Sequence, residues 1–309
     1  MIATITVNPS VDQHILVESL VKDDANRAKA IFRDPGGKGL NVSKVIKELG
    51  GRTYAYALVG GFPGELWKYL VRKIYIPFTA VPVKGDTRIN TILTDIRDHT
   101  QTRISAPGPV IHHTRVSLLL KKLLRHKPKP FLWALGGSLS HRMPASTYKE
   151  IISALQRDST PCILDADNDA LKAGIEAKPF MIKPNEYEMQ RLMNRELKTI
   201  PDYLKAAKSL VVRGVKVVVV SLGKRGALFV THDDAFHVTT PSVPVRSKVG
   251  AGDSLIGGFA LGLCRKMSLR EAARLGVAAS TSAVMTEGTK LCRKEDIPEL
   301  LPKIKIHSL

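Results

Sequence analysis

The sequence predicts an α/β protein with a mostly parallel sheet covered by helices, and three observations carry that prediction. Strand-like and helix-like segments alternate along 309 residues, 44% of them hydrophobic. Their connections are short and end in glycine or polar residues, as βαβ units require. The run "VKVVVVSLG" (215–223) holds four consecutive valines without a polar break, which suits a strand buried on both faces. No repeat, low-complexity tract or long linker divides the chain, so a single domain over residues 1–309 is expected.

The elements follow in order. "ATITVNP" is a strand, and "LNVSKVIKELG" is a helix with Leu40, Val42, Val45, Ile46 and Leu49 near one face and Gly50 as its stop. "RTYAYALVG" is a strand, "GELWKYLVRK" a helix, "KPFLWALGG" a strand and "ASTYKEIISALQR" a helix. "PCILDAD" and "FMIKPN" are strands, while "EYEMQRLM" and "PDYLKAAKSLVVRG" are helices. Residues 12–34 and 85–106 break this rhythm. They alternate polar and apolar positions like strands wet on one face, either as surface hairpins or as a small sheet forming a lid.

Composition excludes some functions. The net charge is +19, yet the basic residues are dispersed apart from a knot over residues 121–129. That knot ends a leucine-rich helix pattern, where cations favour the negative end of the helix dipole. No aromatic residues interleave with it as a nucleic-acid stacking platform would need, so no specific nucleic-acid partner is expected. No stretch resembles a targeting signal or a membrane span, which predicts a cytoplasmic protein with no membrane partner. Cys162, Cys264 and Cys292 are far apart and show no metal-ligand spacing, so they are expected to be reduced thiols.

Several polar motifs fall beyond strand ends, where open α/β sheets bind ligands. Val249-Gly250-Ala251-Gly252-Asp253 precedes a helix pattern through Leu255, Phe259 and Leu261. Glycine amides at a helix start form an anion site, and Asp253 beside them is placed to take a proton from an attacking hydroxyl. "DPGGKGLNVSK" (34–44) opens a second helix with Gly36, Gly37, Lys38 and Gly39. It is not a Walker A loop, and GxxxxGK[ST] occurs nowhere in the chain. In "KPNEYE", Asn185 and Glu188 share a helix face. They fit either the water shell of Mg²⁺ or a simple capping box. Asn8 and Asp12 follow the first strand, Arg27 lies in the first wet segment, and Arg88 with Asn90 in the second. An aspartate can hold sugar hydroxyls, and an arginine can grip a phosphate.

Taken in order, "GGKGLNV", "KPNEYE", "VSLGKRGA" and "VGAGD" resemble the ribokinase-like (PfkB) carbohydrate kinases over essentially the whole chain. "NPSVD", "ANR" and "TRIN" are similar to 1-phosphofructokinases and tagatose-6-phosphate kinases, and "EGTKLC" to the minor bacterial 6-phosphofructokinase. The resemblance implies a three-layer sandwich with a small β-sheet lid, and a phosphotransferase with an alcohol acceptor. Its activity would be ATP- and Mg²⁺-dependent phosphorylation of fructose 6-phosphate in glycolysis; 1-phosphofructokinase and tagatose-6-phosphate kinase are the alternatives.

It further implies that Asp253 is the base and that Gly250, Ala251 and Gly252 form the anion hole. Asp12, Gly37, Lys38, Asn41, Asn90 and Ser138 would bind the sugar, with Arg27 and Arg88 near its phosphate. Lys183, Asn185, Ser221, Gly223 and Gly226 would serve the nucleotide, and Asn185 and Glu188 would hold Mg²⁺ through water. Ser247, Val249, Ala283, Gly288 and Lys290 match a monovalent cation (K⁺) site, and the lids would pair into a homodimer. Three departures concern the substrate side, the first being Ala25 where the 6-phosphofructokinase relative has a lysine in its lid. Ser140-His141-Arg142 replaces the rigid turn expected after "GSL", and Lys38 stands where the 6-phosphofructokinase relative has glycine. A non-catalytic sugar-phosphate sensor of this fold could dispense with Asp253, Asn185 or Glu188, yet all three are present.

Overall fold

The structure is a computed structural model that describes all 309 residues. From the N-terminus, β1 (Ile2–Thr6) leads into β2 (Ser10–Val17) and β3 (Ala28–Gly36), then α1 (Lys38–Glu48), β4 (Thr53–Val59), α2 (Gly61–Lys73) and β5 (Phe78–Pro82). The middle holds β6 (Arg88–Asp95), β7 (Thr100–Ile104), α3 (His113–Leu124), β8 (Leu132–Gly136), α4 (Thr147–Gln156), β9 (Cys162–Asp165), α5 (Asn168–Ile175) and β10 (Met181–Ile182). Then come α6 (Glu186–Met193), α7 (Ile200–Val212), β11 (Val217–Ser221), β12 (Ala227–Val230) and β13 (Ala235–Thr239). The chain closes with α8 (Ala251–Cys264), α9 (Leu269–Val284), α10 (Ile297–Leu300) and β14 (Lys305–Ser308).

Ten strands form one sheet in the order β14-β13-β12-β11-β10-β9-β8-β1-β4-β5, parallel from β11 to β5. The valine run behaves as its composition requires. Val218 and Val220 join a core beneath α3, α4 and α7, while Val217 and Val219 join the core beneath α8 and α9. Successive strand residues face opposite sides, so both faces must be apolar when helices cover both. The result is three layers. β12, β13 and β14 add an antiparallel edge that the segment pattern does not announce.

Local chemistry explains two shifted boundaries. α2 begins at Gly61 rather than Gly64, because Pro63 sits in its first turn, where no backbone N–H is required. "FMIKPN" makes only a two-residue strand. Pro184 has no N–H to donate, and the ladder resumes as a single bridge between Asn185 and Ser221. Lys121 and Lys122 occupy the last turn of α3 as expected, and all three cysteines are free thiols.

The wet segments form a second sheet, β3-β2-β6-β7, entered after β1 and after β5. Register places Asp12 opposite both Asp34 and Asn90, and His14 opposite Phe32 and Ile92. These residues share one face, on which His14 and Ile92 are buried and Phe32 is exposed. Ile15, Ile31, Leu93 and Ile104 share the other face. The strand order reverses around β1, which has β8 on one side and β4 on the other. A crevice therefore opens at the carboxyl ends of the strands there, beneath the lid.

Candidate active site

Two helix starts converge on this crevice. Gly250, in the left-handed region at φ 75°, precedes α8. A side chain there would be strained and would also strike Leu291, with its Cβ 2.2 Å from Cδ2. The amides of Ala251, Gly252 and Asp253 have no partner within α8 and face outward from its first turn. Asp253 proves to be the third residue of the helix rather than a residue ahead of it. Gly252 is crowded by a cation: a Cβ there would lie 2.9 Å from Lys183 Nζ. Gly257 and Gly258, further along the same helix, serve packing instead. Side chains on them would meet Val45 of α1 and the backbone of α9.

The second start is Gly37, at φ 120°, which caps α1 and leaves the amides of Lys38 and Gly39 free. From the first turn of α1, Asn41 Nδ2 donates to Asp253 Oδ2 at 2.8 Å. Asp253 is buried, and its pKa is pushed up to about 6, first by burial and then by the charge of Asp165; Lys38, the Asn41 bond and Lys183 oppose the rise. A carboxylate poised there accepts a proton near neutral pH far better than an ordinary aspartate does.

Asp165 is the residue the sequence reading missed. At the end of β9, its Oδ1 lies 3.2 Å from Lys38 Nζ and 3.4 Å from Lys183 Nζ. Its Oδ2 is buried without a hydrogen-bond partner. Burial alone would raise its pKa, but Lys183 and Lys38 together hold it below the ordinary value. Burial would likewise depress Lys38, yet Asp165, Asp253 and Glu188 hold its pKa above normal. One carboxylate therefore fixes two ammonium groups beside the anion-binding turn. The available signal was an acid ending an apolar strand, in "ILDAD".

On the lid, Asp12 Oδ1 accepts from Ser10 Oγ at 2.7 Å and from Asn90 Nδ2 at 2.8 Å. Gly36 gives the carboxylate room, since a Cβ there would lie 2.2 Å from Asp12 Oδ2. Arg88 donates to the carbonyls of Ala106 at 3.1 Å and Asn8 at 3.0 Å, which leaves one N–H free on each terminal nitrogen. Ser138 accepts weakly from Asn8 Nδ2 at 3.5 Å. Lys44, not singled out from the sequence, donates to the Pro35 carbonyl near Asp12 and Asp34, and burial pushes its pKa down. Arg27 is exposed in the loop before β3.

On the opposite side, Asn185 and Glu188 do form the capping box: Asn185 Oδ1 accepts from the Glu188 amide at 2.9 Å, and Glu188 Oε2 accepts from the Asn185 amide at 2.8 Å. Glu188 Oε1 remains free for a cation's water. A single free carboxylate oxygen suits a Mg²⁺ that keeps most of its waters. Ser221 ends β11, and Gly223 and Gly226, at φ 57° and 87°, turn the chain into β12. The monovalent-cation candidates fall into two hydrogen-bonded groups. Ser247 Oγ donates to the Gly288 carbonyl at 2.8 Å and accepts from the Val249 amide at 3.1 Å. Thr286, a further residue missed from sequence, donates toward the carbonyls of Ala283 and Lys290, at 2.8 and 2.6 Å. Converging carbonyls of this kind suit a weakly hydrated cation.

A buried carboxylate, outward helix-start amides and paired ammonium groups at a sheet switch point suit phosphoryl transfer to an alcohol. The family described as pfkB family carbohydrate kinase matches residues 3–296, and the chain belongs to it. It is 33% identical to the 1-phosphofructokinase of Bacillus subtilis, over 100% of both chains. It is 34% identical to the ATP-dependent 6-phosphofructokinase isozyme 2 of Escherichia coli, over 97% of each. The solved structure of Escherichia coli phosphofructokinase-2 in complex with potassium superposes with a TM-score of 0.93, at 34% identity, over 97% of this chain and 98% of that one. The chain is thus a phosphofructokinase-like carbohydrate kinase with the ribokinase-like fold. No helix is long and apolar enough to cross a membrane.

Proposed function

We propose that the protein transfers the terminal phosphoryl group of ATP to a phosphorylated ketohexose, with fructose 6-phosphate giving fructose 1,6-bisphosphate as the leading reaction. The observation that carries this reading is Asp253: a buried carboxylate of pKa about 6 in the first turn of an amide-bearing helix. Asp12 and Asn90 hold the sugar hydroxyls, with Gly37, Asn41 and Ser138 lining the same pocket, and the free N–H groups of Arg88 bind its phosphate. Asp253 accepts the hydroxyl proton as the sugar oxygen forms its bond to the terminal phosphorus. The bond to the bridging oxygen breaks, and ADP leaves. The amides of Ala251 and Gly252, with Lys38 and Lys183, stabilise the charge on the equatorial oxygens.

Asn185 and Glu188 would hold Mg²⁺ through water, and the ion would supply further neutralisation of the phosphates. The carbonyls near Ser247, Val249, Ala283, Gly288 and Lys290 would hold K⁺, and a potassium complex of a relative with this fold supports K⁺ as the ion bound. Ser221, Gly223 and Gly226 line the nucleotide. The outer face of the lid exposes Ile31, Ile89 and Ile104 at 51, 42 and 63%. Such an apolar face on a two-faced sheet supports pairing of two lids in a homodimer.

A second reading, phosphorylation of fructose 1-phosphate or tagatose 6-phosphate, rests on Lys38 at the reacting end and on the full-length match to a 1-phosphofructokinase. ADP release measured with each of the three sugar phosphates tests both. The highest kcat/KM is expected with fructose 6-phosphate; a preference for another sugar supports the second reading, and turnover of none removes both. Arg88→Ala is expected to raise the KM for the preferred sugar phosphate by roughly 10- to 100-fold, the loss of a charge-assisted bond of about 1.5–3 kcal/mol. An unchanged KM takes Arg88 out of the phosphate site.

A further inference from the structure

The lid reaches the anion-binding turn by a second route that none of the roles above uses. His14 lies two residues beyond Asp12 on β2, on the same face, and is 7% exposed. Its ring abuts Gly288, where a Cβ would lie 3.3 Å from both Nδ1 and Cε1. Its Nε2 is 2.8 Å from Thr289 Oγ1, and that hydroxyl is 3.2 Å from Asp34 Oδ2. A carboxylate only accepts, so the single hydroxyl proton of Thr289 goes to Asp34, and His14 Nε2–H donates to the hydroxyl oxygen. Both lid strands that flank the sugar pocket thereby grip one residue of the 286–290 loop. From that loop the Gly288 carbonyl accepts from Ser247 Oγ, which in turn holds the Val249 amide. Val249 immediately precedes Gly250, the left-handed residue that sets the turn.

We propose that His14 is a positioning residue that ties the sugar-binding lid to the anion-binding turn, through Thr289 and then Gly288 and Ser247. His14 acts through its bonds to the loop rather than on a reacting group. It seats the 286–290 loop, and the loop keeps the Ala251 and Gly252 amides aimed at the transferring group. Its consequence for turnover rests on the kinase reading; its consequence for the turn does not. The device follows from bonds that join two elements far apart in sequence, and a bistable or loosened joint there changes both ends together.

Amide hydrogen exchange on the full chain without ligands tests the tie. His14→Ala and Thr289→Val are each expected to accelerate exchange about fivefold or more in residues 247–253 and 286–290. The double variant should add little to either single change, because both cut the same link. His14→Gln, which carries an N–H to a similar reach, should restore most of the protection. With ATP and the preferred sugar phosphate, His14→Ala should lower kcat about tenfold with KM nearly unchanged, the mark of an interaction realised in the transition state. Unchanged exchange in residues 247–253, or acceleration spread evenly over the whole chain, overturns the proposal. If the wild type phosphorylates no hexose phosphate, the kinase reading falls, and the exchange pattern still decides the tie.

Discussion

Asp253→Asn is expected to lower kcat by roughly 10³- to 10⁴-fold, the upper range for a positioned general base, while nucleotide affinity stays near that of the wild type. The amide keeps the shape of the side chain and a carbonyl for the Asn41 bond but cannot take the hydroxyl proton. The wild-type pH profile carries the same signature. Because the base works ionised and its pKa is about 6, kcat/KM should fall tenfold per unit below that pH and level off above it. The stability effect runs the other way. The folded pKa exceeds the unfolded value, so this group favours folding in acid, and that contribution is lost as the pH rises through 6. At pH 8 the asparagine variant should be more stable by up to about 3 kcal/mol, two pKa units' worth, with the difference vanishing near pH 4. Urea unfolding at both pH values and a turnover assay would check this; retained turnover would discard Asp253 as the base.

Asp165→Asn is expected to damage both fold and reaction. Lys38 and Lys183 would lose their shared counter-charge in a buried crevice, and breaking such an arrangement costs about 3–5 kcal/mol. The folded pKa of Asp165 is depressed, so its stabilisation is present at neutral pH and lost as the pH falls through that value. The gap between wild type and variant should therefore be widest near pH 7 and close in acid. A second consequence separates this role from mere stability. Removing the Asp165 charge removes one of the two influences that raise Asp253, so the acid limb of the kcat/KM profile should move below pH 6. Equal stability at pH 7 together with an unmoved acid limb would end the argument for Asp165.

Much of the site was legible because some backbone needs can be met by few residue types. Gly250 occupies a left-handed turn and Gly37 another at positive φ, and each leaves free amides at a helix start. An acid placed beside such a turn is visible in the sequence as a candidate base. Asn185 and Glu188 were equally visible, though their spacing served two purposes at once: they cap α6 and still leave one carboxylate oxygen free. Asp165 was not legible in this way. Its one local mark is that it ends an apolar strand, while its partners Lys38 and Lys183 come from α1's first residue and from just past β10.

The amino-acid order by itself determined the layered α/β architecture, the two-faced lid strands, the amide-bearing helix starts and the acid beside one of them. Each is a local matter of periodicity, allowed dihedrals or unpaired backbone groups, and so is written within a few neighbouring residues. Only the tertiary structure decided which charges share a low-dielectric space, and hence that Asp165 pins two lysines, that Asp253 titrates near 6, and that His14 meets Thr289. Electrostatic and hydrogen-bond energies depend on distance and burial, and folding sets both between residues that the chain keeps far apart.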